Sequence, residues 1–325
     1  MPMTASAAHL PVLEGRVVDL LGAAPDGVVV DATVGAGGHA AAVLSARLAR
    51  YGRAALIGLD RDPTALALAS ERLAPLQADP AVDVTLVRTR FDHLAAVLDA
   101  AGHPHIAGIL LDLGISSMHV DQAERGFSYR RSGPLDMRMD PDQATTADVL
   151  VNELEPRELA GLLRRYADER FADRIARAIV AARPLRTTTE LAEIVRGAIP
   201  AAARRRGGHP ATRTFQALRI AVNDELTALE ATLPVALDAL VPGGVAVVLA
   251  YHSLEDRLVK QAFAAAARGC VCPPDLPVCA CGRTAQVEHL VRRPERPSEA
   301  ETAHNPRASA ARLRAVRRLP DRSGS

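Results

Sequence analysis

The stretch Asp31-Ala-Thr-Val-Gly35-Ala-Gly37-Gly38-His39 puts a carboxylate at one end of a short glycine-rich segment and an imidazole at the other. Glycines at this spacing let the backbone turn tightly and come close to a ligand. A helix opening at the last glycine would aim its unsatisfied N–H groups at the same ligand. Asp60 closes the next apolar run, Ala54 to Asp60, where a carboxylate can accept hydrogen bonds from both hydroxyls of a ribose. Together these features describe a site for a nucleoside cofactor. Gly35 to Ala40 also fits the dinucleotide pattern G-x-G-x-x-A, so a nicotinamide dehydrogenase competes on this loop alone. Asp31, four residues before the first glycine, leans toward S-adenosylmethionine, which has no pyrophosphate but has a cationic end to place. A merely structural turn is the bland alternative.

The elements that must hold this loop are legible in the apolar pattern. Val28 to Asp31, Ala54 to Asp60, Val82 to Val87 and Ile106 to Asp112 read as strands, the last nearly all apolar, as a strand buried on both faces should be. Helical stretches separate them, including His39 to Arg50 and a helix opened by Asp62-Pro63 that runs to about Leu73. This βαβαβ order predicts a parallel sheet covered by helices. The pattern then breaks. Gly114 to Asp140 reads as a long functional loop. Thr146 to about Pro200 is helical, with capping-box spacing at Thr187 to Glu190, and Thr214 to Leu233 is helical again. After a turn at Pro242-Gly243-Gly244, Val245 to Ala250 resumes strand character, and Gln286 to Leu290 and Arg312 to Arg317 supply two last strands. The reading is an α/β sheet domain interrupted by a helical insertion: 1–113, then 114–213, then 214–325.

Composition narrows the class. Hydrophobic residues make up 48% and charged residues 24%, which fits a core-forming chain rather than a disordered one. With aromatics at 3% and no Trp, the core must be aliphatic. The net charge of +1 does not by itself argue for nucleic acid. Lys260 is the only lysine, so individual arginine clusters carry little weight. No apolar run is long enough to span a membrane, and Met1 to Leu10 lacks the regions of a signal peptide, so a cytoplasmic protein is expected.

Longer motifs follow the fourth strand. Asp112-Leu-Gly-Ile-Ser-Ser117 lies where ligands bind in such sheets. Then come Arg125-Gly-Phe-Ser-Tyr129, Gly133-Pro-Leu-Asp-Met-Arg-Met-Asp140, Thr214-Phe-Gln-Ala-Leu-Arg-Ile-Ala-Val-Asn-Asp-Glu225, Tyr251-His-Ser-Leu-Glu-Asp-Arg257 and Asn305-Pro-Arg307. In this order, and with His9-Leu-Pro-Val-Leu13 before them, they resemble the RsmH (MraW) family over essentially the whole chain. The resemblance implies a class I methyltransferase sheet (Rossmann-like) with an inserted α-helical domain for substrate recognition. It implies methyl transfer from S-adenosylmethionine to the exocyclic N4 of a cytidine in the decoding centre of 16S rRNA, in the P site of the small ribosomal subunit. It also implies cofactor contacts at Gly37, Gly38, His39, Asp60, Phe91 and Asp112, beside Gly35 of the loop. His119 stands where the family usually has Gln and is kept as a contact; Ala167-Asp-Glu-Arg170 departs mildly from the family's Gly-Glu-Glu-Arg.

For the chemistry, Asp112 is expected between cofactor and amine, with Asp136 and Tyr251 completing the catalytic group. Acceptors aimed at the N4–H bonds would weaken delocalisation of the lone pair into the ring and stabilise the charge that develops on nitrogen. Many amino-methyltransferases carry (Asp/Asn)-Pro-Pro-aromatic where this chain has Asp112-Leu-Gly-Ile, so Phe127, Tyr129 and Tyr251 are the candidates to stack on the base. Plainer roles compete: Phe91 as core packing, Ser253 and Asp256 as a capping box, Asp136 and Asp140 as braces for the loop through Arg138, Asn223 and Asp224 as a solvated face. Arg130, Arg131, Arg204 to Arg206 and the tail from Arg292 to Arg318 are the phosphate-binding candidates. Cys270, Cys272, Cys279 and Cys281 form two C-x-C pairs, tighter than usual zinc spacing, and no metal is assigned to them.

Overall fold

The computed structural model describes residues 11–204, 209–269, 272, 281 and 283–320. Two compact units make up the chain: Met1–Gly114 with Thr227–Ser325, and Ile115–Leu226. The first opens with α1 (Glu14–Gly22) and then alternates β1 (Val28–Asp31), α2 (Gly38–Tyr51), β2 (Ala54–Asp60), α3 (Pro63–Gln77), β3 (Val82–Arg88), α4 (Leu94–Ala100) and β4 (Ile106–Asp112). The helices begin for local reasons. Asp62 accepts the Thr64 N–H at 2.9 Å and Pro63 takes the first position of α3, where a missing N–H costs nothing. Arg47 of α2 is buried and donates to the carbonyls of Leu21, Ala24, Pro25 and Gly27, which ties the end of α1 and the entry to β1 onto α2.

The second unit contains α5 (Ser117–Asp121), α6 (Ala147–Glu153), α7 (Pro156–Ala167), α8 (Ala172–Ala181), α9 (Thr188–Ala198), α10 (Ala201–Arg204) and α11 (Thr212–Asn223). The expected capping box forms at α9: Thr187 accepts the Glu190 N–H, and Glu190 accepts the Thr187 N–H in return. The helical unit extends past the expected boundary at 213. The reason is packing: α11 lies against α7, and Phe215, Leu218 and Val222 enter the same core as Leu159, Leu163 and Ile175.

The chain re-enters the first unit through α12 (Glu225–Ala239), then adds β5 (Leu240–Ala250), α13 (Ser253–Ala267), β6 (Val287–His289), α14 (Glu299–His304) and β7 (Arg312–Arg318). Pro242 to Gly244, expected as a turn, lies inside β5. The register against β4 jumps there from Ile106↔Leu240 to Gly108↔Val245, and Gly243 takes φ 82°, so the extra residues bulge out of the ladder rather than end the strand.

Among the described residues seven strands form one sheet in the order β3-β2-β1-β4-β5-β7-β6. β7 pairs antiparallel with both β5 and β6, while the other pairings are parallel. A dinucleotide-binding sheet runs 3-2-1-4-5-6 with no reversed strand. The reversed β7 between β5 and β6 is the class I methyltransferase arrangement and removes the dehydrogenase alternative. The winding turns around between β1 and β4, and ligands in such sheets bind outside the carboxyl ends at that point. Asp31 and Asp112 are the last residues of these two strands. Among the described residues no helix is long and apolar enough to cross a membrane.

Candidate active site

The loop after β1 is knitted to the neighbouring strand ends. Asp60 at the end of β2 accepts the Gly35 N–H at 3.0 Å and the Asp62 N–H at 2.9 Å. Thr33 donates its N–H to Asp31 at 3.2 Å, and its Oγ1 accepts the Asp112 N–H at 2.7 Å. One threonine thus links the ends of β1 and β4. Gly37 sits at φ 76°, a left-handed conformation that favours glycine, and a Cβ there would stand a tight 3.2 Å from the Ala69 Cα. A Cβ on Gly38 would meet Pro11 Cγ at 2.7 Å, so Pro11 lies directly over the start of α2.

The electrostatics are unusual for a folded interior. Asp31 is buried, and that burial pushes its carboxyl up to about 7, with the charges of Asp112 and Asp60 adding to the push and His39 and the Thr33 N–H opposing it. His39 is 6% exposed, and neither ring nitrogen has a well-formed hydrogen bond among the described residues. Its Nε2 lies 3.4 Å from Asp112 Oδ2, a long contact. Burial disfavours the imidazolium, but Asp112, Asp31 and Glu14 outweigh it, and the ring is held above its ordinary range. Tyr251, immediately after β5, donates its hydroxyl to Asp112 Oδ1 at 2.8 Å, and burial beside that carboxylate pushes the phenol up.

Tyr251 is itself fixed. Glu255 accepts its N–H at 2.8 Å and the His252 N–H at 3.2 Å. Val12, Ala308 and Ala311 form an apolar cluster against which Leu13 and Tyr251 pack. Glu301 of α14 accepts the Leu13 N–H at 2.7 Å, and Arg16 pairs with Glu295, so Leu13 and Arg16 are fastened to the segment from Glu295 to Glu301. The capping box expected from Ser253 and Asp256 is shifted by one residue. His252 is the cap and Glu255 its partner, because the Asp256 carboxylate is turned to Arg314 at 2.7 Å and Arg312 at 3.1 Å. Despite burial, those two guanidinium groups hold Asp256 below the usual carboxylate range. Arg312, Arg314 and Arg317 of the basic tail are therefore engaged in ion pairs, the last with Glu288.

The structure brings Gly35, Gly37, Gly38, His39, Asp60, Asp112 and Tyr251 together at the carboxyl edge of one sheet. Phe91 follows β3 in a single 3-10 turn and packs, partly buried, against the core that includes Leu59 and Leu94. His119 and Asp136 belong to the second unit. His119 is buried, 4.9 Å from the Phe127 ring. Asp136 accepts from Arg138 Nε at 2.9 Å, from its Nη2 at 2.9 Å and from its backbone N–H at 3.0 Å. Burial raises Asp136, but Arg138 outweighs it and holds the carboxyl below its usual range. Asn223, a possible surface residue from sequence, is buried and joins Met139 N–H, Met137 C=O and Arg219 C=O. Thr33 was not marked by the sequence reading; a hydroxyl two residues beyond a strand-end acid is the signal for it. Cys270 and Cys279 lie outside the described residues, and with them the question of a four-cysteine site.

Comparison with known proteins adds a family. A family model described as the MraW methylase family matches residues 6–319. The chain is similar to the ribosomal RNA small subunit methyltransferase H of Heliobacterium modesticaldum, 54% identical over 315 residues, covering 96% of this chain and 98% of that protein. It is similarly related to the protein of that name from Symbiobacterium thermophilum, 54% identical over 314 residues and covering 96% of each. Among solved structures it is similar to a putative rRNA-methylase from Clostridium thermocellum, with a TM-score of 0.44, 12% identity, and coverage of 95% of this chain and 99% of that one.

Proposed function

The chain belongs to the MraW methylase family, and from that premise we propose that it methylates the exocyclic N4 of a cytidine in the decoding centre of 16S rRNA, within the small ribosomal subunit. The observation that carries this reading is the group of Asp31, Asp60, Asp112 and His39 at the switch point of the sheet, with Asp112 held by Tyr251. S-adenosylmethionine supplies a methyl group already activated by its sulfonium. The residues present fit such a cofactor. Acidic strand ends favour a cationic ligand, and Asp31 has a burial cost that a nearby positive charge would relieve. The N-terminus of α2, which opens at Gly38, offers backbone N–H groups. Asp60 is assigned to the ribose, Phe91 to the adenine side and His119 to a further cofactor contact.

Asp112 is assigned to the substrate. Its carboxylate accepts the N4–H bonds of the cytosine, which draws the amine lone pair out of conjugation and compensates the charge that grows on nitrogen as the N–C bond forms. Bound S-adenosylmethionine would supply the methyl group and keep the electron pair of the bond it gives up, and Asp112 would take the proton that N4 loses. Tyr251 orients that carboxylate through its 2.8 Å hydrogen bond. Asp136, engaged by Arg138, is given the task of bracing the loop that runs from Gly133 to Asp140.

The test uses purified protein, labelled S-adenosylmethionine, and small ribosomal subunits from cells that lack the modification, with the product mapped by mass spectrometry. One N4-methylcytidine in the decoding centre is the expected result. Cofactor binding without transfer to subunits or naked RNA would keep the fold and sink the substrate.

A further inference from the structure

In the second unit, Tyr129 and His209 stack with ring centroids 4.4 Å apart and planes 11° from parallel. Tyr129 is fixed from behind. It meets the ring of Phe215 edge-on at 5.4 Å, and Phe215 is buried in the helical core. The Tyr129 hydroxyl lies 3.2 Å from Thr212 Oγ1. His209, by contrast, is exposed. Its Nδ1 accepts the Ala211 N–H at 3.2 Å, so in the neutral ring the proton sits on Nε2. One face of the imidazole lies on Tyr129, and the residue is exposed. Three rings therefore run as a column from the core to the surface.

Arginines neighbour the stacked pair in the chain. Arg130 follows Tyr129, Arg213 follows Thr212, and Arg204 closes α10; all three are exposed. Among the described residues no carboxylate pairs with any of them, whereas arginines elsewhere on this chain commonly have one, as in Arg53 with Asp26 and Arg164 with Asp173. The whole chain carries a net charge of only +1. An exposed ring stack with arginines beside it in the chain can recognise an unpaired nucleotide: the base stacks, and the phosphates on either side meet positive charge.

We propose that the Tyr129–His209 column is a stacking platform for an unpaired base of the RNA substrate, with Arg130 and Arg213 on the flanking phosphates. This rests on the rRNA reading above and names where the helical unit grips that substrate. The test takes the full-length protein, a single-stranded RNA oligonucleotide carrying one 2-aminopurine, and small ribosomal subunits. Wild type should quench the 2-aminopurine on binding. His209→Ala should lose the quench and bind about tenfold or more weakly. His209→Phe, which keeps a stacking face, should restore both. Arg213→Ala should lower the slope of log affinity against log salt by about 0.7, the value for one phosphate on a single strand. Thermal melts and cofactor affinity should match wild type in each variant. If His209→Ala quenches and binds as wild type does, there is no platform. Should it act less well on subunits while binding the oligonucleotide normally, the patch meets protein and the proposal falls. If wild type neither binds RNA nor methylates subunits, it is the rRNA reading that fails.

Discussion

Asp112 in the sheet unit and Asp136 in the helical unit have similarly exposed side chains, 23% and 27%. Burial does not separate them; their partners do. Asp136 is clamped by a guanidinium through two bonds and by a backbone N–H, and it is held below its usual range. Asp112 accepts one bond from a neutral phenol and a long contact from an imidazole. Its neighbours repeat the pattern: Asp31 is buried and pushed up, and His39 has two poorly satisfied nitrogens. In the loop of the helical unit the polar groups complete one another, as Asn223 does for Met137 and Met139. Polar groups that are buried and incompletely paired are costly, so they persist where a ligand completes them.

The largest effect that would break this contrast is on Asp112. Asp112→Asn keeps the shape and removes the charge, and should lower single-turnover methyl transfer by about 10²–10³, as for loss of one preorganised electrostatic group. Thermal stability should change little. Turnover at the wild-type level would remove Asp112 from the chemistry and erase the distinction from Asp136. The converse experiment is Asn223→Ala. It strands the Met139 N–H and the Met137 C=O in a buried place, which should cost about 1–3 kcal/mol for each unsatisfied group. Denaturant unfolding would read this as a lower midpoint, with cofactor affinity retained. A normal midpoint would mean that the loop does not depend on that side chain.

Much of the sheet unit was legible in the sequence, because apolar runs ending in Asp31, Asp60 and Asp112 carry both the strand and the acid that closes it. β4 was expected at Ile106 to Asp112 and lies there. The bulge in β5 was not legible, since Pro-Gly-Gly signals a turn whether or not the ladder continues across it. Long-range hydrogen bonds were equally hidden. Nothing local pairs Thr33 with Asp112 or Tyr251 with Asp112, 139 positions apart. The shifted cap of α13 has the same origin: a Ser with an acid three residues on is a fair local signal, and Arg312 and Arg314, far along the chain, override it.

Proton linkage sharpens the contrast at a smaller scale. A cation bound beside Asp31 favours its ionised form and disfavours the charged form of His39, so both groups should release protons on binding. Asp60 and Asp112 lie within electrostatic reach of Asp31 and face the same space. Affinity for S-adenosylmethionine should therefore rise as pH goes from 6 to 8, by at most about tenfold per unit for each proton released. Asp31, pushed up to about 7, sets the range. In the cofactor-free protein the same group makes stability fall as pH rises between about 4 and 7, because the native state keeps a proton that the unfolded chain has lost. Calorimetry in two buffers of different ionisation enthalpy measures the release directly. Asp31→Asn should leave only the part due to His39, and a flat affinity with no release in wild type would mean that the positive charge binds elsewhere.

The smallest expected effect comes from Tyr251→Phe. The phenol donates to Asp112 Oδ1, while Oδ2 faces His39 and the backbone N–H of Asp112 stays on Thr33. Losing the hydroxyl thus removes one of two contacts on the carboxylate and leaves its charge in place. The ring still packs against Leu13 and the cluster of Val12, Ala308 and Ala311, so the fold should hold. A neutral hydrogen bond contributes about 1 kcal/mol net, which corresponds to a loss of roughly five- to tenfold in the rate of transfer. The loss should fall on kcat rather than on KM, because orientation of the acceptor matters most as charge grows on nitrogen. A loss as large as that of Asp112→Asn would make the phenol a participant in the chemistry, and Asp112 would then be only one half of the catalytic group.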